Sequence, residues 1–189
     1  MTTTRGDLDS RPASGSEGDQ HIVGGHTHTY TYTDAKWLVD LATGASLVEY
    51  KDADQEVTDT TLTSDSELNV VLAATSAYQF RAAIFFLNDG AAEGYKCALS
   101  GTVGVADLKA QISIYDDTTN SLAAFARITS LGSSVGAGIS SGANFAVIDG
   151  TIETSTAGTF IVQFAQNAAG VAAGVHHEIG CSLSMVKLA

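Results

Sequence analysis

Gly158-Thr-Phe-Ile-Val-Gln-Phe-Ala-Gln-Asn167 and, shortly after it, Gly174-Val-His-His-Glu-Ile-Gly-Cys-Ser-Leu-Ser-Met-Val-Lys-Leu188 decide the fold class. In the first stretch Phe160, Val162 and Phe164 fall on one side at a period of two, the spacing of a strand buried on one face. In the second, Val175, His177 and Ile179 open one parity, and Leu183, Met185 and Lys187 carry it on. The pattern predicts two strands, a hairpin that closes a sheet. One residue follows Leu188, so no C-terminal catalytic lobe is expected.

Read back toward the N-terminus, the same signal recurs over Leu47–Tyr50, Val57–Leu62, Leu68–Leu72, Tyr78–Leu87, Tyr95–Val103, Leu108–Tyr115, Leu122–Ile128 and Phe145–Ile152. Turn chemistry separates these runs: Asn88-Asp89-Gly90, Asp116-Asp117, Gly136-Ala-Gly138, Asp149-Gly150 and Asn167. Strands at this spacing, with no room for long helices, predict an all-β fold, a sandwich or jelly roll. The chain has 189 residues, 44% of them hydrophobic, enough for one core. The reading is therefore one domain over 46–189, preceded by an extended N-terminal arm and connector over 1–45.

Met1–Gly25 is rich in Thr, Ser, Gly and Asp, holds Arg5, Arg11 and the only proline, and shows no hydrophobic period. Such a segment is expected to be disordered alone and ordered only on a partner. His26-Thr-His-Thr-Tyr-Thr-Tyr-Thr33 then alternates strictly, and Lys36-Trp-Leu-Val-Asp-Leu-Ala42 mixes helical and strand signals and reads as a short connector.

A formal net charge of -12 with only nine Lys and Arg argues against nucleic-acid binding, which relies on basic side chains at phosphates. No apolar run approaches the ~20 residues that cross a bilayer, and the basic-then-apolar start of a signal peptide is missing. Cys97 and Cys181 lie inside strand-like runs without CxxC spacing and read as buried free thiols, a disulfide between neighbouring strands being the alternative. Alanines are common on strand-like runs (Ala82, Ala83, Ala123, Ala124, Ala126, Ala165, Ala168, Ala169), which fits either a tightly packed sheet or a subunit interface around a symmetry axis.

Asp65-Ser-Glu-Leu68, Tyr78-Gln-Phe-Arg-Ala-Ala-Ile-Phe-Phe86, Leu99-Ser-Gly101, Asp149-Gly-Thr-Ile152, the Gly158–Asn167 stretch and Gly180-Cys-Ser-Leu-Ser-Met-Val-Lys-Leu188 together resemble tailed-bacteriophage virion structural proteins with a TNF/C1q-like jelly roll. The similarity runs from about Val57 to the end. It implies a non-catalytic homotrimer located in the virion, of the capsid decoration or cement, head-fibre, collar or tail-fibre type. His176-His177 and the long polar segment before the domain depart from that pattern.

His26 and His28 form a pair with metal-ligand spacing, since residues two apart on a strand share a side. Three chains around an axis would bring six imidazoles together, an arrangement similar to the iron-binding His-x-His repeats of trimeric phage fibres. The alternative is a polar strand whose Thr and Tyr suit β geometry. No other cofactor is expected. Of His176 and His177, at most one ring faces the core, held there by a hydrogen bond. Asp52-Ala-Asp-Gln-Glu56 and Asp59 lack the spacing of a calcium loop and read as a solvated turn. Gly-x-Ser-x-Gly occurs at Gly132–Gly136 and Gly138–Gly142, with Asp149 and His176 following in hydrolase order, but both copies lie in one Gly/Ser tract with no helix after it. Catalysis is not expected.

These readings converge on a phage decoration or cement protein whose 1–45 segment attaches to the major capsid protein or another virion protein, with neither nucleic acid nor membrane as partner. The alternative is a fibre or collar knob that binds a host receptor, for which Tyr95, Tyr115 and the Gly132–Gly142 loop are the candidate contacts.

Overall fold

Alternation is realised as strands: the described residues of the computed structural model, which are 3–5, 20–23, 26–31, 36–40, 46–90, 93–169 and 174–188, form sixteen strands and no helix. Two units separate at Ala45/Ser46.

In the first unit β1 (Thr3–Arg5) lies parallel to β2 (Gln20–Val23), and β2, β3 (His26–Thr31) and β4 (Lys36–Asp40) pair antiparallel in the order β1-β2-β3-β4. Lys36–Asp40, expected to be connector, is thus a strand paired with the Thr/Tyr alternation before it. Most of the segment expected to gain order only on a partner, residues 6–19, lies outside the described residues.

The second unit is a jelly-roll-like β-sandwich. Its strands are β5 (Ser46–Tyr50), β6 (Gln55–Val57), β7 (Thr63–Leu72), β8 (Ala77–Asn88), β9 (Tyr95–Gly101), β10 (Gly104–Asp116), β11 (Ser121–Ile128), β12 (Ser134–Ala137), β13 (Gly142–Thr156), β14 (Gly158–Gln166), β15 (Val175–His177) and β16 (Ser182–Lys187). The larger sheet runs β11-β10-β13-β8. Beyond β8 it forks: β15 and then β6 pair with the C-terminal end of β8, while β16 and then β5 pair with the rest. The smaller sheet is β12-β9-β14-β7. Every ladder of this unit is antiparallel.

Period two decides which side chains enter the space between the sheets. On β8 the even positions Tyr78, Phe80, Ala82, Ile84 and Phe86 are buried, and on β14 Phe160, Val162 and Phe164 meet them. The rings of Phe80 and Phe160 stand 5.0 Å apart. Each fully buried Phe or Leu contributes about 2 kcal/mol of transfer free energy, so this seam alone outweighs any single polar contact in the unit. Cys97 and Cys181 are both buried free thiols, as the sequence indicates.

Asp149-Gly150, expected to be a turn, lies inside β13, where both residues pair with β8 and β10; three further local expectations change. First, β14 belongs to the smaller sheet and β15 and β16 to the larger, so the two C-terminal stretches are not a hairpin; they face the same core from opposite layers. Alternation reports that a face is buried, not which strand lies alongside. Second, a turn at Glu178–Gly180, with Gly180 at φ 100°, splits the last stretch, and Ile179 is exposed although its odd-numbered neighbours His177 and Cys181 are buried. Third, of Val57–Leu62 only Val57 is in a strand; beyond it Asp59 accepts a hydrogen bond from the Thr61 N–H at 2.7 Å and closes a turn.

Candidate functional site

The larger sheet turns one face to the core and the other outward, and its register arranges the outward side chains in graded rows. One row crosses six strands in the order Tyr50, Ser182, Ala83, Val147, Ser113, Phe125. Beside it runs Phe85, Phe145, Tyr115, Leu122. The Tyr115 and Phe145 rings stack with centroids 4.4 Å apart and planes 5° from parallel. On the other side the row Val48, Ser184, Arg81, Asp149, Gln111, Arg127 is mostly polar, with Arg81 3.6 Å from Asp149. Gln79, Thr151 and Lys109 extend that polar half around a shallow depression.

Val48, Tyr50, Phe85, Leu122, Phe125 and Phe145, six of the nine large exposed apolar side chains among the described residues, lie on this face. Single exposed apolar groups are ordinary on a protein surface, whereas these six gather on one sheet face. Between the aromatic ends of the first row Ser182, Ala83 and Val147 are half-buried and Ser113 is buried. The exposed aromatic content was legible as residues but not as a face, because it depends on the pairing of strands far apart in sequence.

A second cluster joins the layers from inside. His177 on β15 stacks on Phe164 of β14 with centroids 3.6 Å apart, and bonds to the two strands that flank β14. Its Nδ1 lies 2.8 Å from Asp65 Oδ2 on β7 and its Nε2 lies 2.8 Å from the Tyr95 hydroxyl on β9. A carboxylate only accepts, so Nδ1 carries the proton and donates to Asp65; Nε2 is then left to accept from the Tyr95 O–H. Lys51 Nζ, also fully buried, sits 3.3 Å from Asp65 Oδ1 and 3.1 Å from Glu67 Oε2.

Burial works against the Asp65 charge, but hydrogen bonds from His177 and from the Glu67 and Leu68 N–H groups outweigh it and hold the carboxyl at about 2. Burial lowers the His177 pKa against the pull of Asp65, so the ring is neutral near pH 7. Burial, with the neighbouring thiols, raises the Tyr95 phenol well above its ordinary value. Asp65, His177 and Tyr95 form an acid–imidazole–hydroxyl chain, yet each is 2% exposed or less. What this arrangement does chemically is tie β7, β9 and β15 together through bonds that require one protonation state.

The remaining sequence candidates fall apart from one another. His177 is the ring that enters the core, while His176 faces outward and meets Asp89 at 3.0 Å. Ser140 gives its hydroxyl to Asp116 at 2.8 Å, and Ser134 lies on β12, so the Gly-x-Ser-x-Gly strings are not brought to His176 or Asp149. Tyr95, considered as a receptor contact, is fully buried; Tyr115 belongs to the apolar face. Asp54 caps the Ile179 N–H at 2.8 Å. His26 and His28 lie on β3, with Cα partners Val23 and His21 on β2, so a third histidine that the spacing argument passed over shares the pair.

Comparison with protein-family models and with curated proteins finds no match. Among solved structures, the infectious bursal disease virus Gx strain structure is 9% identical over 94% of this chain and 47% of its own, with a TM-score of 0.21. The infectious bursal disease virus VP2 subviral particle is 10% identical over 95% and 50%, with a TM-score of 0.19. A Clostridium thermocellum endo-1,4-beta-D-xylanase 10B fragment with CBM22-1 and GH10 modules is 12% identical over 64% and 26%, at 0.17. The chain spans about half the length of the viral proteins. Superpositions of this quality do not define a shared fold.

Proposed function

We propose that this chain is a non-enzymatic structural protein of a phage virion: a homotrimer that decorates the capsid, with residues 1–45 attaching to the major capsid protein. The outward face of the larger sheet carries the reading. Its side chains Tyr50, Phe85, Leu122, Phe125 and Phe145 are exposed in the single chain and suit burial against further copies, as interfaces between like subunits are the more apolar ones. The resemblance of the 57–188 sequence to phage jelly-roll proteins supplies the virion context, and the sandwich agrees with it.

Under this reading the polar half of the same face supplies the rim. Arg81, Lys109 and Arg127 there are half of the six basic residues in 46–189, set on an acidic chain, so opposite charges meet when copies pack.

Light scattering of the purified chain tests the assembly: three chain masses are expected, both for the full chain and for a chain lacking residues 1–45, with capsid binding lost only in the truncated one. A monomer at micromolar concentration overturns the trimer, and unchanged capsid binding after truncation overturns the attachment role. A knob on a fibre or collar is the competing reading. Quantitative gels of purified particles separate the two, since a decoration protein is present in many copies across the lattice and a knob at a few attachment points.

A further inference from the structure

Three buried side-chain atoms of the described residues have no hydrogen-bond partner: Oδ1 of Asn88 and both carboxylate oxygens of Glu93. Both residues are fully buried. They stand five residues apart in the chain, Asn88 at the end of β8 and Glu93 shortly before β9. Asn88 ends β8, and the Glu93 carboxylate lies over Gly90, where a β-carbon would come within 2.5 Å of Oε2 and 2.7 Å of Oε1. Opposite stands the 137–139 segment: Asn88 Nδ2 donates to the Ile139 carbonyl at 3.1 Å, which fixes the side-chain amide, and a β-carbon at Gly94 would collide with the Ala137 carbonyl. The Ala168 N–H holds the Glu93 carbonyl at 2.7 Å.

A buried carboxylate without donors is among the costliest arrangements a protein can hold. The other buried carboxylates among the described residues are bonded. Asp65 receives His177, Lys51 and two backbone N–H groups, and Asp116 receives the Ser140 N–H and hydroxyl and the Thr119 N–H. All three orphaned atoms are oxygens, and no nitrogen or sulfur ligand is among them. Such a set suits a hard cation. Absence of a side chain at Gly90 leaves room for the carboxylate to lie where it does.

We propose that Asn88 and Glu93 bind a divalent cation of the calcium class, held by the Glu93 carboxylate and Asn88 Oδ1, with water or main-chain carbonyls completing the shell. The site is distinct from the surface group of Glu56, Asp89 and His176, in which the imidazole is already bonded to Asp89.

The full chain, stripped with EDTA, is titrated with Ca2+ by calorimetry and with Tb3+ by luminescence sensitised through Tyr95, two residues along from Glu93. One cation per chain is expected, together with a Ca2+-dependent rise in the melting temperature of about 3 °C or more. Glu93→Gln is expected to abolish binding and Asn88→Ser to weaken it about tenfold or more, whereas Asp89→Asn leaves it intact. Failure of the stripped wild-type chain to bind millimolar Ca2+ overturns the proposal and needs no variant. Binding that survives in Glu93→Gln, or disappears in Asp89→Asn alone, also overturns it, the latter by placing the cation at the surface group. Should Glu93→Gln not fold, Asn88→Ser and the wild-type titration decide.

Discussion

Phe164 and His177 lie face to face across the sandwich, planes 13° apart, one from each sheet. This stacking sets the imidazole midway between Asp65 and Tyr95, so both ring nitrogens are used by strands on either side of Phe164. The layers are held in register at this end by one neutral imidazole.

Stability follows from that protonation state. His177 is held below its ordinary 6.5 in the folded chain, whereas the unfolded chain takes up a proton there; folding stability is full above 6.5 and declines as the pH falls below it. Asp65, at about 2 instead of 3.8, adds a second loss as the pH falls from about 3.8 toward 2, worth about 2 kcal/mol in all. Urea unfolding between pH 4 and 8 is expected to show a midpoint that drops on the acid side. In His177→Phe the decline between pH 6.5 and 4 should flatten, and an unchanged slope would assign the titration elsewhere. Asp65→Ala, which leaves Lys51 with Glu67 as its one carboxylate partner and the buried His177 Nδ1–H with no acceptor, should cost about 3–5 kcal/mol at neutral pH.

Thiol reactivity reports the same core. Burial pushes Cys97 up to about 12 and Cys181 to about 11, and neither sulfur reaches solvent. Since the thiolate is the reacting species, an aromatic disulfide reagent at pH 8 should label neither cysteine in the native chain and both after denaturation. Labelling of Cys97 in the native state would contradict its place between the sheets.

Much of this architecture was legible because burial imposes period two on single strands. Tyr78–Phe86 and Phe160–Phe164 announced themselves in that way. What the period cannot carry is partnership. Phe85, Phe145, Tyr115 and Leu122 form a row only after β8, β13, β10 and β11 are paired, and His177 meets an acid 112 positions away, at Asp65, while the adjacent Glu178 plays no part in the bond. Short elements also escaped: β12, four residues in a Gly/Ser tract, has only Val135 buried and gives no alternation to read.

Gly101 ends β9 at φ 139°, and a β-carbon there would collide with the Thr159 carbonyl. Main chain cannot move aside as a side-chain tip can. Gly101→Ala therefore combines a backbone conformation that L-residues avoid with a clash, and is expected to cost about 1–3 kcal/mol, read as a lower thermal midpoint with unchanged far-ultraviolet dichroism. Gly132→Ala has the same kind of backbone, φ 82°, with open space around it, and should cost less. Equal losses would show that conformation, not the collision, sets the effect.

Phe125 and Val71 are exposed to nearly the same degree, 52% and 50%, on opposite faces of the sandwich. Neither is needed by the single chain's core, so Phe125→Lys and Val71→Lys should each change the unfolding free energy of the isolated subunit by no more than about 0.5 kcal/mol. Their effects on assembly should differ. Phe125 ends the row that begins at Tyr50 and lies beside the Tyr115–Phe145 stack, where an aromatic anchor removed from a subunit contact costs about 2 kcal/mol or more. In the proposed trimer that position recurs once in each of three equivalent interfaces, so the substitution places an unpaired lysine charge in every one of them. Sedimentation of Phe125→Lys should therefore show single chains at concentrations where the parent and Val71→Lys remain assembled. The opposite ranking would move the contact surface to the smaller sheet, and dissociation of neither would remove the outward face of the larger sheet from the interface.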